Sequence, residues 1–382
     1  MIAANEILKI YGTGYEAMTR ALLEEAALDE LIGDRRRRIG IKPNLVSPTP
    51  AEYGATTHPE IVDALISYLL EKGFEDITVM EGSWVGDRTS DAFEYCGYNA
   101  ISRKYPVIRL FDTQKDSSVP VDCGDGIVLN ICRIVKDIDF LINVPVLKGH
   151  CQTKMTCALK NLKGLIPNSE KRRFHSMGLH RPIAYLQKAI HQDFVLVDHI
   201  CGDLDFEDGG NPVVRNCIMA AVDPVLADCL ACRITGHELE EVGYLALAAS
   251  MGIGSTDLSH AMIRDLTEGS EGSPFAEAKE DQGHRRILDV SYSTEEVESC
   301  SACYASLTAA LLRLKDEGLL DKLDEKISIG QGFRGKTGKL GVGMCTKDFE
   351  FFIPGCPPDE EAIYRGLAEY IRKNEDKKRT GG

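Results

Sequence analysis

Apolar positions alternate between two rhythms over the first two-thirds of the chain. Ile61, Val62, Leu65, Ile66, Leu69 and Leu70 fall at helical spacing, the mark of a helix with one buried stripe. Thr57-His58-Pro59 opens that helix, with Thr57 placed as cap and Pro59 where a missing N–H costs nothing. Gly73 ends it. Between such patterns lie short apolar-rich runs at 38–44, 76–80, 107–111, 140–144, 194–197 and 217–222, which read as buried strands. Further helices are predicted over 15–32, 154–162, 182–190 and 224–234. Strands separated by helices predict βαβ units. The expected fold class is therefore α/β: a mostly parallel sheet with helices on both faces. Gly124-Asp125-Gly126 before the run 127–132 predicts a local antiparallel departure.

The rhythm stops at residue 268, and 268–286 is rich in Gly, Ser, Glu and Lys, as a polar connector would be. The chain thus divides into an α/β domain at 1–267, a connector at 268–286 and a small cysteine-rich α/β module at 287–382. In that module Cys300-Ser301-Ala302-Cys303 opens a helix that runs to Gly318. A short strand is predicted at 326–330, a glycine-rich stretch leads to Cys345, and Gly355-Cys356-Pro357-Pro358 opens the last helix at 359–372. Helix N-termini carry partial positive charge, which favours thiolates. Glycines beside Cys345 allow backbone amides to approach sulfur. These features point to a metal centre on Cys300, Cys303, Cys345 and Cys356, with a [4Fe-4S] cluster first and zinc second. Zinc ranks lower because Cys345 and Cys356 do not form a compact knuckle. Four unrelated buried thiols, or a thioredoxin-like dithiol, are the remaining readings.

Charge and composition narrow the partners. The chain carries 44 Lys+Arg against 59 Asp+Glu, a net charge of −15, which argues against nucleic-acid binding. No run approaches the roughly 20 apolar residues that span a bilayer, and residues 1–6 lack a signal-peptide pattern. A cytoplasmic protein that uses no membrane is expected. The other nine of the 13 cysteines read as small buried hydrophobes.

Two glycine patterns are decoys. Gly330-Gln331-Gly332-Phe333-Arg334-Gly335-Lys336-Thr337 spells a phosphate loop, but Gly338, Gly341 and Gly343 leave no room for the helix whose N-terminus would cradle phosphate. Gly12-Thr13-Gly14-Tyr15-Glu16-Ala17 resembles a dinucleotide fingerprint, but the following strand ends in Lys-Pro-Asn and not in an acid.

Ligands of doubly wound sheets bind beyond the carboxyl ends of strands. Polar groups concentrate there, at Lys42-Pro43-Asn44, Glu81-Gly82-Ser83, Asp198 to Asp203 and above all Lys148-Gly149-His150. Thr153, Thr156 and Lys160 would share one helix face beside Asn161. A small anionic molecule is the natural guest. Lys42, Asn44, Thr153, Thr156 and Asn161 are candidate binding residues, and Lys148, His150 and Lys160 are candidate catalytic residues. His175 and His180 are placed on a loop that could close over them. A solvated helix with ordinary capping explains the same pattern about as well.

Lys42-Pro43-Asn44-Leu45, Thr57-His58-Pro59, the run 140–164 and Asp223-Pro224 with Asp228 resemble the family called domain of unknown function 362. The likeness spans about residues 38–254. Members of that family often carry an iron–sulfur segment, commonly a ferredoxin-like insert. This chain has no such insert, so its four C-terminal cysteines would serve instead. It also reads Lys-Gly-His at 148–150 where the family pattern has Lys-Thr-His, and 202–212 replaces a Gly-Pro-rich loop. The expected function is a redox enzyme, an iron–sulfur oxidoreductase acting on a small anion with a partner protein for electrons. The alternatives are a non-redox isomerase or lyase with a structural or Lewis-acid cluster, and an electron carrier or cluster scaffold.

Overall fold

A computed structural model describes residues 1–267 and 286–380. All but the last residue of the expected connector at 268–286 lies outside the described residues. The described residues make two compact units. One holds Met1–Gly149 and 153–267, the other His150–Gln152 and 286–380.

The larger unit carries β1 (Glu6–Tyr11), β2 (Ile39–Pro43), β3 (Ile77–Glu81), β4 (Arg109–Asp112), β5 (Ser118–Asp122), β6 (Val128–Cys132) and β7 (Phe140–Val144). The short β8 (Lys148–His150) and β9 (Lys154–Thr156) follow, then β10 (Phe194–Asp203), β11 (Pro212–Ala221) and β12 (Met262–Asp265). Eight strands form one sheet in the order β12-β1-β11-β10-β7-β2-β3-β4. From β10 to β4 every pairing is parallel, whereas β11 runs antiparallel to both neighbours. The antiparallel departure expected after residue 124 is the β5–β6 hairpin.

Side chains alternate across a strand, so each strand of this sheet feeds two cores. On β7, Leu141 joins the core beneath helices Ala158–Asn161, His180–Ala189 and Pro224–Ile234, while Ile142 joins that beneath Tyr15–Glu25 and Pro59–Glu71. Covering both faces is what continuous apolar strands require.

Several local expectations are corrected. The helix predicted at 15–32 breaks at Ala27, whose φ is 51°, into Tyr15–Glu25 and Leu28–Ile32. Thr57 does not cap the 59–71 helix. Its hydroxyl donates to the Val144 carbonyl (2.8 Å) and accepts from the Asn44 N–H (2.7 Å), tying β2 to β7. The helix predicted at 154–162 begins only at Ala158, because 154–156 is strand. Its start is fixed by Asp228, whose carboxylate accepts from Ala158 N (2.6 Å) and Leu159 N (3.1 Å). His175 and His180 lie in helices Asn168–Ser176 and His180–Ala189, with the break between them at Gly178 (φ 71°).

The smaller unit pairs β13 (Thr294–Glu296), β14 (Ile327–Ile329), β15 (Leu340–Val342) and β16 (Phe351–Ile353) in chain order, all parallel. Helix Ser301–Asp316 crosses from β13 to β14, and helix Glu360–Thr380 follows β16. The later crossovers use only short 3-10 turns at Gln331–Phe333 and Met344–Thr346. Leu307, Leu311, Ile327, Val342, Ile363 and Leu367 anchor a separate core, each worth about 1.5–3 kcal/mol of transfer free energy.

Candidate functional site

In the larger unit, the carboxyl ends of β2, β3 and β7 bring together buried polar groups as the sequence predicts. Lys42 is fully buried, and its ammonium meets the Glu81 carboxylate at 2.7 Å and the Pro43 carbonyl at 2.6 Å. Burial lowers the pKa of Lys42, and the Glu81 charge opposes that shift. Glu81 also accepts from Leu45 N (2.8 Å) and Gly82 N (2.7 Å). A Cβ at Gly164 would fall 2.0 Å from Glu81 Oε1, so only glycine allows that chain to cover the ion pair. Asn161 donates to Asn143 Oδ1 (2.7 Å) and to the Lys42 carbonyl (3.2 Å), linking β7 to β2. Asn143 continues the chain to Gln192 (2.6 Å), and Gln192 to Gln187 (2.8 Å). Such a closed polar network fixes geometry. Lys42 and Asn161 therefore brace the strand ends.

Lys148 and Lys160 are placed differently. Lys148 is fully buried and donates to the carbonyls of Ala55 (2.6 Å) and Glu207 (2.7 Å), with Asn44 Oδ1 at 3.4 Å. Burial pulls its pKa down to about 8. Three acceptors thus surround the Lys148 ammonium. Lys160 pairs with the Glu207 carboxylate. Two cations thus converge on one residue of the loop that follows β10.

The remaining candidates spread out. Thr153 is buried and donates to the Met155 carbonyl (3.1 Å). Thr156 is buried, and its hydroxyl has no hydrogen-bond partner. His150 belongs to the smaller unit, where its Nδ1 accepts from Gln152 N (3.1 Å).

Sequence reasoning missed several members. Lys171, from helix Asn168–Ser176, donates to the carbonyls of Gly82 and Ser83 (both 2.8 Å), and burial takes its pKa to about 8. His58 contacts Asp198 through both its N–H and Nδ1 (2.8 Å each). Burial lowers the His58 pKa, but the charge and hydrogen bond of Asp198, with the charges of Glu60 and Glu52, together outweigh it and the net shift is upward. Glu207 carried no signal, since nothing in an acidic loop distinguishes the carboxylate that turns inward.

In the smaller unit the parallel sheet explains why four distant cysteines share a neighbourhood. Chain leaving the carboxyl ends of β13, β15 and β16 carries Cys300, Cys345 and Cys356, and chain leaving β14 carries Gln331 and Arg334. These segments are laced together: Gln331 N donates to Glu298 O (3.1 Å), Gly343 N to Ile353 O (2.8 Å) and Met344 N to Gly355 O (3.0 Å). Gly330 (φ 120°) and Gly343 (φ 89°) supply the sharp exits, and a Cβ at Gly330 would strike Val297 O at 2.0 Å. Cys300 occupies the position before the 301–316 helix, with no side-chain capping bond, and Cys303 sits in the first turn. Cys356 does not stand at a helix start. The last helix begins at Glu360, and Ala362 N donates to Asp359 Oδ1.

The Cys303 thiol is pushed up by its hydrogen bond with Cys300, then by burial, then by the charges of Cys300, Cys356 and Cys345. Gln331 Nε2 donates to Cys300 Sγ at 3.5 Å. The Arg334 guanidinium hydrogen-bonds Cys345, which strengthens its hold on its proton. Among the described residues no group of three or more His, Cys, Asp or Glu is arranged to hold a metal ion. The two observations agree, because charge acts over several ångströms while a metal–sulfur bond spans about 2.3 Å. The thiols are neighbours and not a finished cage. A donor set of four sulfurs with no carboxylate among them suits iron–sulfur or zinc. Cys151, read from sequence as an isolated thiol, belongs to this unit and donates to Ser299 O (3.5 Å). Lys336-Thr337 starts no helix, as expected for a decoy.

The chain is similar to known proteins over part of its length. The thylakoid-associated protein sll1697 of Synechocystis is 29% identical over 143 residues, covering 36% of this chain and 42% of that protein. The chain thus matches under half the length of that relative. The lactate racemase apoprotein of Thermoanaerobacterium thermosaccharolyticum superposes with a TM-score of 0.41 at 13% identity, over 60% of this chain and 56% of that one. Among the described residues no helix is long and apolar enough to cross a membrane. The family profile described as domain of unknown function (DUF362) matches residues 39–233, which span β2 through the 224–234 helix and with them every buried lysine above, and the chain belongs to that family.

Proposed function

We propose that the chain is an iron–sulfur protein of the cytoplasm, a redox enzyme acting on a small anion. Cys300, Cys303, Cys345 and Cys356 would hold a [4Fe-4S] cluster, which supplies one-electron transfer when bound. The observation that carries this reading is the convergence of three cysteine-bearing segments at the carboxyl end of a parallel sheet, with the Cys303 thiol feeling the other three. Gln331 and Arg334 would donate to the cysteine sulfurs, orienting them and stabilising their charge. In the larger unit Lys148 and Lys160 would bind the anion electrostatically, with Asn44 beside Lys148. Lys42 and Asn161 would hold the strand ends rigid. His150, Thr153 and Thr156 remain candidate contributors.

Anaerobic purification followed by iron and acid-labile sulfide assay tests the reading, with paramagnetic resonance after dithionite. The expected result is stoichiometric iron and sulfide, a reducible signal, and loss of both in Cys→Ser variants at the four positions. Protein that binds zinc alone, or no metal, would end it.

A further inference from the structure

In the larger unit one residue, Glu207, contacts both Lys148 and Lys160. We infer that Glu207 is a tethered, displaceable plug on Lys148 and Lys160, and that the ligand it stands in for is a small carboxylate. The inference deepens the anion-site reading above and rests on it. One residue satisfies both cations: its side-chain carboxylate pairs with Lys160, and its main-chain carbonyl accepts from Lys148 at 2.7 Å. The lysines are nearly or fully buried, whereas the Glu207 side chain keeps 17% of its surface exposed, so the carboxylate is the member with a way out.

The loop is built to present this residue. Its ends are pinned. Asp203 accepts from Asp205 N (2.8 Å), Phe206 N (2.9 Å) and Asn211 N (2.8 Å), and Gly210 N donates to Tyr53 O (2.9 Å). Gly209 and Gly210 take φ of 81° and 114°, a turn that other residues resist. The middle, at Glu207, is held by the lysines. A buried lysine left without a counter-charge is costly, so the loop can leave only when another anion arrives.

Gly149 makes the arrangement possible. A Cβ there would fall 2.0 Å from the Leu204 carbonyl. Gly149 and the loop after β10 are therefore one feature: the missing side chain is the space through which the loop reaches the lysines.

The test uses the full chain, with Glu207→Gln, Lys160→Met and Lys160→Gln variants, titrated calorimetrically with acetate, malonate and inorganic phosphate. Glu207→Gln should bind a carboxylate at least about tenfold more tightly than the parent, and both Lys160 variants should lose that binding. Amide exchange across 204–211, measured without ligand, should accelerate in all three variants. Unchanged affinity and unchanged exchange in Glu207→Gln would overturn the plug while leaving the anion site intact. Phosphate bound in preference to both carboxylates would overturn the ligand class. No binding of any probe by any form would overturn plug and site together.

Discussion

At the scale of the residue, charge placed in a dry interior decides the behaviour of the larger unit. Glu81 neutralises Lys42 where neither is more than 3% exposed, and removing one member of such a pair costs more than the pair is worth. Glu81→Gln should therefore lower unfolding stability by about 3 kcal/mol in urea titration. Lys171 has a pKa near 8 in the fold, while an unfolded lysine keeps its proton to about 10.4. Between those limits the unfolded chain binds more protons, so stability rises as pH climbs through that window. Lys171→Met should flatten the rise by up to about 1.4 kcal/mol per pH unit, read from urea unfolding between pH 8 and 10. Residue types and strand-end positions made Lys42, Asn44, Lys148 and Lys160 legible in the sequence. The pairings were not, because Glu81 and Glu207 reach them across 39 and 47 or more positions of chain, a distance that no local spacing encodes.

Elements were read best where one rhythm was unbroken. The strand predicted at 140–144 and the helix at 224–234 match to the residue. Errors gathered where a distant side chain overrode local preference. Lys154, with φ 66°, opens a strand where helical spacing predicted helix, and the helix waits until Asp228 caps it from another element. Asp228→Ala should strip two buried N–H groups of their acceptor and cost about 2–3 kcal/mol, measured by thermal unfolding. The same logic governs the loop after β10. Gly149→Thr should expel Leu204 from its seat, raising amide exchange over 204–211 while the sheet stays protected. The four cysteines were legible as a set, but the reason they meet was not: it lies in strand order, which sequence spacing cannot reveal.

At the scale of the molecule, the described residues hold apolar cores that belong to different units. Cores of that kind need not unfold together. Calorimetry should resolve two transitions, and loading the four cysteines with iron and sulfide should raise only the one that belongs to 286–380, since a ligand stabilises the state that binds it.

The assignment of His150–Gln152 to the smaller unit bears on how the chain can be dissected. The polypeptide visits that unit for three residues, more than a hundred positions before it settles there, and returns. A scissor cut after residue 267 would leave Cys151 and Gln152 without the acceptors Ser299 O and Glu298 O, and the excised tail would lack a thiol that lies against its first cysteine loop. Neither half is a self-sufficient parcel of sequence, so a faithful recombinant fragment must splice in the 148–152 turn or keep the chain whole.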